Sequence, residues 1–222
     1  MTARPVPRVA APYGLLLRDE LRGRLLSGHY PPGTRISIEE VKAEYGVSKQ
    51  PVMDALRRLE AIGLVNIVPQ SGCRVATYSA SEVADFFALF ARFEGEVAAA
   101  AALRRTDDQL VAMAVCARGL VDVEAESEPG RRAAAYRRAN REFHLVVHEM
   151  ADSRIMSTLS EQMWDLSDFL IATVLGPAAL ADTVAHRNEE HELIRSALTL
   201  GQADVARACM ESHIRGSIAV TS

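Results

Sequence analysis

The chemistry this chain can offer is mostly that of nitrogen donors. Asn140, His144 and His148 stand at i, i+4 and i+8, so all three lie near one face of a helix. His191 lies midway along a second helical stretch and His213 lies in a third. Imidazoles from facing helices can converge inside a bundle, where the neutral ring suits Zn, Ni, Fe or Mn. Asn140 could add a weak amide-oxygen ligand. No local metal motif joins these residues, so spacing alone leaves an alternative in which they are core histidines or surface polar groups. Glu142 and Glu149 are near them only along the chain. No Ser-His arrangement and no phosphate-cradling loop accompanies them, which weighs against an enzyme.

A second chemistry lies nearer the start, between Ser37 and Ala76. Ser37 with Glu40 reads as a capping box, Gly46 ends that helix, and Ser48 caps the next. In the second helix Val52, Leu56 and Leu59 face a core, while Lys49, Met53 and Arg57 form an adjacent row. Gly63-Leu64-Val65 reads as an apolar strand, then Gln70-Ser71-Gly72 as a turn, then Cys73-Arg74-Val75 as a second strand. This is the pattern of a winged helix-turn-helix with a small β-hairpin wing, which puts one helix into a DNA major groove. The first residues of such a helix reach base edges, so Lys49 and Gln50 are the expected readers, Lys for guanine and Gln for adenine. Arg57 and Arg58 are expected on phosphates. Ser71 and Gly72, at the wing tip, let backbone approach DNA closely.

The rest of the chain has to carry and control these two sets. It has 222 residues, 49% hydrophobic and 24% charged, with 5% aromatics, a helix-leaning soluble composition. Residues 1–76 hold 11 Lys and Arg against 7 Asp and Glu, a net +4, and the remainder hold 14 against 22, a net −8. A basic module followed by an acidic one fits a DNA reader joined to a separate domain. Cys73, Cys116 and Cys209 are scattered and odd in number, as expected of free thiols in a reducing compartment. No run approaches the roughly 18 apolar residues of a membrane span, and a cytoplasmic location is expected.

The expected organisation is a loose arm over 1–12, a DNA-binding domain over 13–76, a connector over 77–80 and an all-α antiparallel bundle over 81–222. The overall class is mainly α. In the bundle Ser81 is expected to cap the first helix, Thr106 with Gln109 the second, Pro129 to begin the third and Ser153 the fourth. Gly176-Pro177 breaks the chain before two last helices, over about 182–200 and 204–218.

Residues 15–76 resemble the DNA-binding domain of the GntR family of bacterial transcription regulators. The resemblance is carried by Gly28-His29-Tyr30-Pro31-Pro32-Gly33-Thr34-Arg35, Gly46-Val47-Ser48-Lys49-Gln50-Pro51-Val52, Ala55-Leu56-Arg57-Arg58-Leu59-Glu60, Gly63-Leu64-Val65 and Gly72. The DNA contacts expected on this basis are Arg35, Ser37, Ser48, Lys49, Gln50, Pro51, Met53, Arg57, Ser71 and Gly72. The family usually has Arg where this chain has Lys49 and Met53, and those arginines read guanine. Lys42 stands where the family prefers Ala.

Residues 81–218 resemble the FCD domain, the all-helical effector domain of the FadR subfamily of GntR regulators. The match lies in Asn140-Arg141-Glu142-Phe143-His144, in Glu190-His191 with Ile194 and Ala197, and in Gly201-Gln202-Ala203-Asp204 with Ala206, Ala208 and His213. Such domains commonly hold a divalent metal through an Asp and three His. His144, His191 and His213 fall on the His positions and Asn140 on that of the Asp, so the resemblance implies a site short of one charge. His148 has no counterpart in that pattern. Phe90 stands where an Arg is common, with Arg92 two residues away. The resemblance implies a homodimeric transcription regulator that binds a palindromic DNA operator. A small effector, an organic acid held by the metal, would control it. A regulator of the metal itself and, more distantly, a metal-dependent hydrolase are the alternatives.

Overall fold

The computed structural model describes residues 10–68, 72–176 and 178–218. Most of the expected arm lies outside them. The chain divides into two compact units between Thr77 and Tyr78.

The first unit contains α1 (Ala10–Leu26), β1 (Arg35–Ile36), α2 (Ile38–Tyr45), α3 (Lys49–Ala61), β2 (Val65–Val68) and β3 (Gly72–Val75). Leu17, Leu21 and Leu25 of α1 meet Val41 of α2 and Val52, Leu56 and Leu59 of α3 in a dry core. Such an apolar stripe at helical spacing is what holds short helices that would be marginal alone. Ser37 accepts the Glu40 amide N–H as the N-cap of α2, and Gly46, at φ 61°, closes its other end in the left-handed region. Arg24 is paired with Glu44 and lies 5.1 Å from the centre of the Tyr45 ring, tying α1 to α2. Packing against α1 and α2 thereby fixes the direction of α3.

The wing differs from the expected hairpin in having a third strand. The sheet order is β1-β3-β2, antiparallel throughout, with Ile36 and Ile67 both opposite Cys73. A two-residue strand carries no period that could announce it. The strand expected at Gly63-Leu64-Val65 begins only at Val65, because Gly63 (φ 82°) is still turning the chain out of α3.

The second unit is a bundle of α4 (Ala80–Arg104), α5 (Asp107–Asp122), α6 (Pro129–Met150), α7 (Arg154–Val174), α8 (Val184–Leu200) and α9 (Ala203–Gly216). Single 3-10 turns follow α5 and precede α8. There is no strand among its described residues. The cap of α4 is Ser79, not Ser81, so the helix takes in the last residue of the expected connector. Ser79 accepts the Glu82 amide N–H while the Glu82 carboxylate accepts that of Ser79. Ser81 would have had Ala84 at the reciprocal position. Thr106 with Gln109, and Ser153, cap α5 and α7 as expected.

α4 lies along α9, and Gly95 sets how closely. A Cβ there would meet Glu211 Cγ at 2.7 Å and the Arg207 carbonyl at 3.3 Å. Ala normally stabilises a helix over Gly by about 1 kcal/mol. At Gly95 the sign reverses: Gly95→Ala is expected to destabilise the unit by about 1–3 kcal/mol through overpacking, measured by thermal or urea unfolding.

Candidate metal centre and nucleic-acid interface

His144 on α6, His191 on α8 and His213 on α9 converge. One ring nitrogen from each lies within 4.8 Å of the others, and all three side chains are buried. The ring centroids of His191 and His213 are 4.3 Å apart, and those of His144 and His213 5.2 Å. Phe143 and Trp164 wall the cluster edge-on and tilted. Burial, the first cause in each case, makes all three rings hard to protonate; His144 and His213 are pushed well below the ordinary range and His191 down to about 3. They are therefore neutral, with lone pairs available.

The hydrogen bonding around them is incomplete. Neither ring nitrogen of His191 has a well-formed partner, apart from a weak approach to the Arg187 carbonyl one turn earlier. His144 Nδ1 lacks a partner as well. His213 Nδ1 lies 3.0 Å from Glu190 Oε2, so the ring's single proton belongs on Nδ1 and is donated to the carboxylate. His213 Nε2 then presents its lone pair to the cluster, 3.3 Å from His144 Nε2. A histidine whose outer nitrogen donates to a carboxylate is the arrangement that orients metal ligands. Buried polar atoms without partners are rare in folded proteins. Three neutral imidazoles, two of them with unsatisfied nitrogens, are thus a donor set that fits a divalent transition metal.

Asn140 lies one turn before His144, buried, with its amide oxygen accepting from the Tyr136 hydroxyl at 3.3 Å. It lines a cavity of about 20 Å³ with Tyr136, Trp164, Asp168, Arg187 and Ser217. That is room for about one water, and none of the three histidines lines it. His148, expected as a bystander, has a different task. Its Nε2 lies 3.0 Å from Glu94 Oε2, and Ser160 donates to the other oxygen of the same carboxylate. Glu94 is fully buried, so these partners are what make its place in α4 tolerable. Glu142, Glu149 and Arg92 are exposed, away from any such role.

In the first unit, a groove of about 420 Å³ runs between α3 and the sheet. It brings together five of the ten expected DNA contacts: Arg35, Ser37, Lys49, Met53 and Gly72. Gly72, at φ 94°, leaves the Arg35 guanidinium within 3.4 Å of where its Cβ would be. Ser48, Gln50 and Arg57 are exposed elsewhere on α3, and Pro51 is half-buried. Ser48 is the N-cap of α3 but makes no side-chain cap bond, so its hydroxyl is uncommitted to the helix. Gln50 donates to Asp54 at 2.9 Å and Arg57 pairs with the same carboxylate. Each keeps further donors beyond those that meet Asp54. Lys42 is paired with Glu39. Ser71 lies outside the described residues.

Comparison with known proteins bears on both units. The family described as "Bacterial regulatory proteins, gntR family" matches residues 16–75, and the FCD domain matches residues 85–216. The chain belongs to the GntR family of transcription regulators and carries an FCD effector-binding domain. Among curated GntR relatives, the transcriptional repressor GlaR of Escherichia coli is 24% identical over 199 residues, covering 87% of this chain and 89% of that protein. The regulator LutR of Bacillus subtilis is 23% identical over 85% of this chain and 91% of its own length. E. coli McbR/YncC has the same fold, with a TM-score of 0.75 at 20% identity over 94% of this chain and 96% of that one. Among the described residues, no helix of this GntR regulator is long and apolar enough to cross a membrane.

Two parts of the FCD unit escape a reading of ligand types. Arg187 is buried against the histidine cluster, one turn before His191 on α8. Its i, i+4 spacing to His191 was the available signal. Glu94 has Arg92 and Glu96 two residues either side of it, so the sequence carries no contrast that would mark it as buried.

Proposed function

We propose that this GntR regulator binds operator DNA as a homodimer and that a small organic acid in the FCD unit controls its affinity. His144, His191 and His213 would hold a divalent metal, Zn, Ni, Mn or Fe, with Asn140 as a weak fourth donor. The bound metal would supply an electropositive centre for the acid's carboxylate. The observation that carries this reading is His191: a buried, neutral imidazole whose two nitrogens lack well-formed partners. Glu190 would orient His213, and Phe143 and Trp164 would keep bulk water from the cluster.

The groove between α3 and the sheet would hold the DNA, with Lys49 reading guanine and Met53, which cannot donate a hydrogen bond, contributing apolar contact. The homodimer rests on operator symmetry: two identical readers match two half-sites of a palindrome. A cytoplasmic place and the lack of a catalytic role accompany this reading. A second reading, in which the metal itself is the signal, rests on the three buried histidines, which could hold an ion without any organic acid.

Gel-shift titration of genomic fragments, with and without a chelator, tests the reading. Specific retardation that responds to metal or to added carboxylic acids is expected, and absence of any specific band from low to physiological salt would sink it. Lys49→Ala is expected to cost about 1–3 kcal/mol of operator discrimination. Equal preference of variant and parent for operator over random DNA would remove Lys49 from base reading.

A further inference from the structure

A fixed cation already occupies the edge of the histidine cluster. Arg187 is 3% exposed. Its Nη1 donates to the His213 carbonyl at 2.9 Å and lies 2.6 Å from Glu190 Oε2. Its Nη2 donates to Ser217 Oγ at 2.9 Å and lies 3.2 Å from His213 Nε2. The position is built for it, since a Cβ at Gly216 would come within 2.9 Å of Nη1.

With the His213 proton on Nδ1, facing Glu190, Nε2 has a single lone pair. That pair can accept from Arg187 or bind a metal, not both. A divalent cation bound at Nε2 would also be repelled by the guanidinium beside it in a buried site. Asn140, being neutral, brings no charge to offset the guanidinium.

Resting on the reading of the triad as a metal site, we propose that Arg187 competes with the metal for His213 Nε2, so that metal binding releases the guanidinium from both His213 Nε2 and Ser217. Ser217 is the residue that ends α9. Arg187 therefore latches α8 to the end of α9 through both Nη1 and Nη2 while the metal is absent, and loses the Nη2 half of the latch when it binds. Glu190 keeps the His213 proton on Nδ1, which makes the ring a better donor.

The test is a titration of the chelator-stripped full chain with Zn²⁺ against a chromophoric competitor. Arg187→Met is expected to bind Zn²⁺ about tenfold more tightly than the parent, because it removes a competing donor and a repelling charge. Ser217→Ala, which removes one anchor of the guanidinium, is expected to tighten binding about threefold. It carries the test should the first variant fail to fold. Affinities at or below the parent's in the folded variants, with His191→Ala losing the metal, overturn the role of Arg187 and leave the metal site standing. Absence of Zn²⁺ binding in the folded parent and both variants overturns both.

Discussion

Replacing His191 by Ala is expected to lower divalent-metal affinity by at least about 100-fold. Outer-shell partners of a metal ligand are worth about 10–100-fold in affinity, and loss of a ligand itself removes more. His191 is the member of the triad with the least to do otherwise, since neither nitrogen has a well-formed partner. Its removal therefore takes away a donor without breaking a structural hydrogen bond. His186→Ala is the matched control: that side chain is 71% exposed beside Glu189, and its loss should leave affinity unchanged. Metal content after dialysis, and competition with a chromophoric chelator, measure both. Full occupancy in His191→Ala would take the residue out of the site.

The second large effect is on stability against pH. In the unfolded chain a histidine takes up a proton near pH 6.5, whereas folded His191 resists until about pH 3. Burial acts on His144 and His213 in the same direction. Between those limits the unfolded state binds more protons, so stability rises with pH. The contribution is complete above about pH 6.5 and is lost progressively as pH falls towards 3. The loss is expected to amount to several kcal/mol across that window, since a tenfold change in proton affinity is worth about 1.4 kcal/mol. Urea unfolding of the metal-stripped chain between pH 4 and 7 measures it. A flat profile would mean that the rings are not buried neutral. His191→Leu, which buries an apolar group in the same place, should flatten part of the slope.

The helix-turn-helix was legible because its boundaries are written in strong punctuation: Gly46, Ser48 and Gly63 sit where the chain turns or a helix begins. The histidines of the FCD unit were legible as types and, through the family's pattern, as a set. Other features lay where sequence patterns are silent. β1 is two residues long and exists because β3 pairs with it. The start of α4 turned on a choice between two serines, and the reciprocal bond from Glu82 decides it for Ser79. Arg187 was missed because a long cation in a helix ordinarily points to water. Its burial follows from three acceptors that surround it, Glu190, the His213 carbonyl and Ser217. The commitment of Gln50 and Arg57 to Asp54 is likewise a matter of side-chain geometry on one exposed face.

His144, His191 and His213 come from α6, α8 and α9, and α9 is the last helix in chain order among the described residues. During synthesis a chain emerging from the ribosome presents one imidazole, then two, and gains the third only when α9 has appeared. Two imidazoles hold a divalent ion far more weakly than three. Metal capture would therefore come late in biogenesis, after the DNA-reading unit has been made, and a chain cut short before α9 would keep the reader but lack the means to answer.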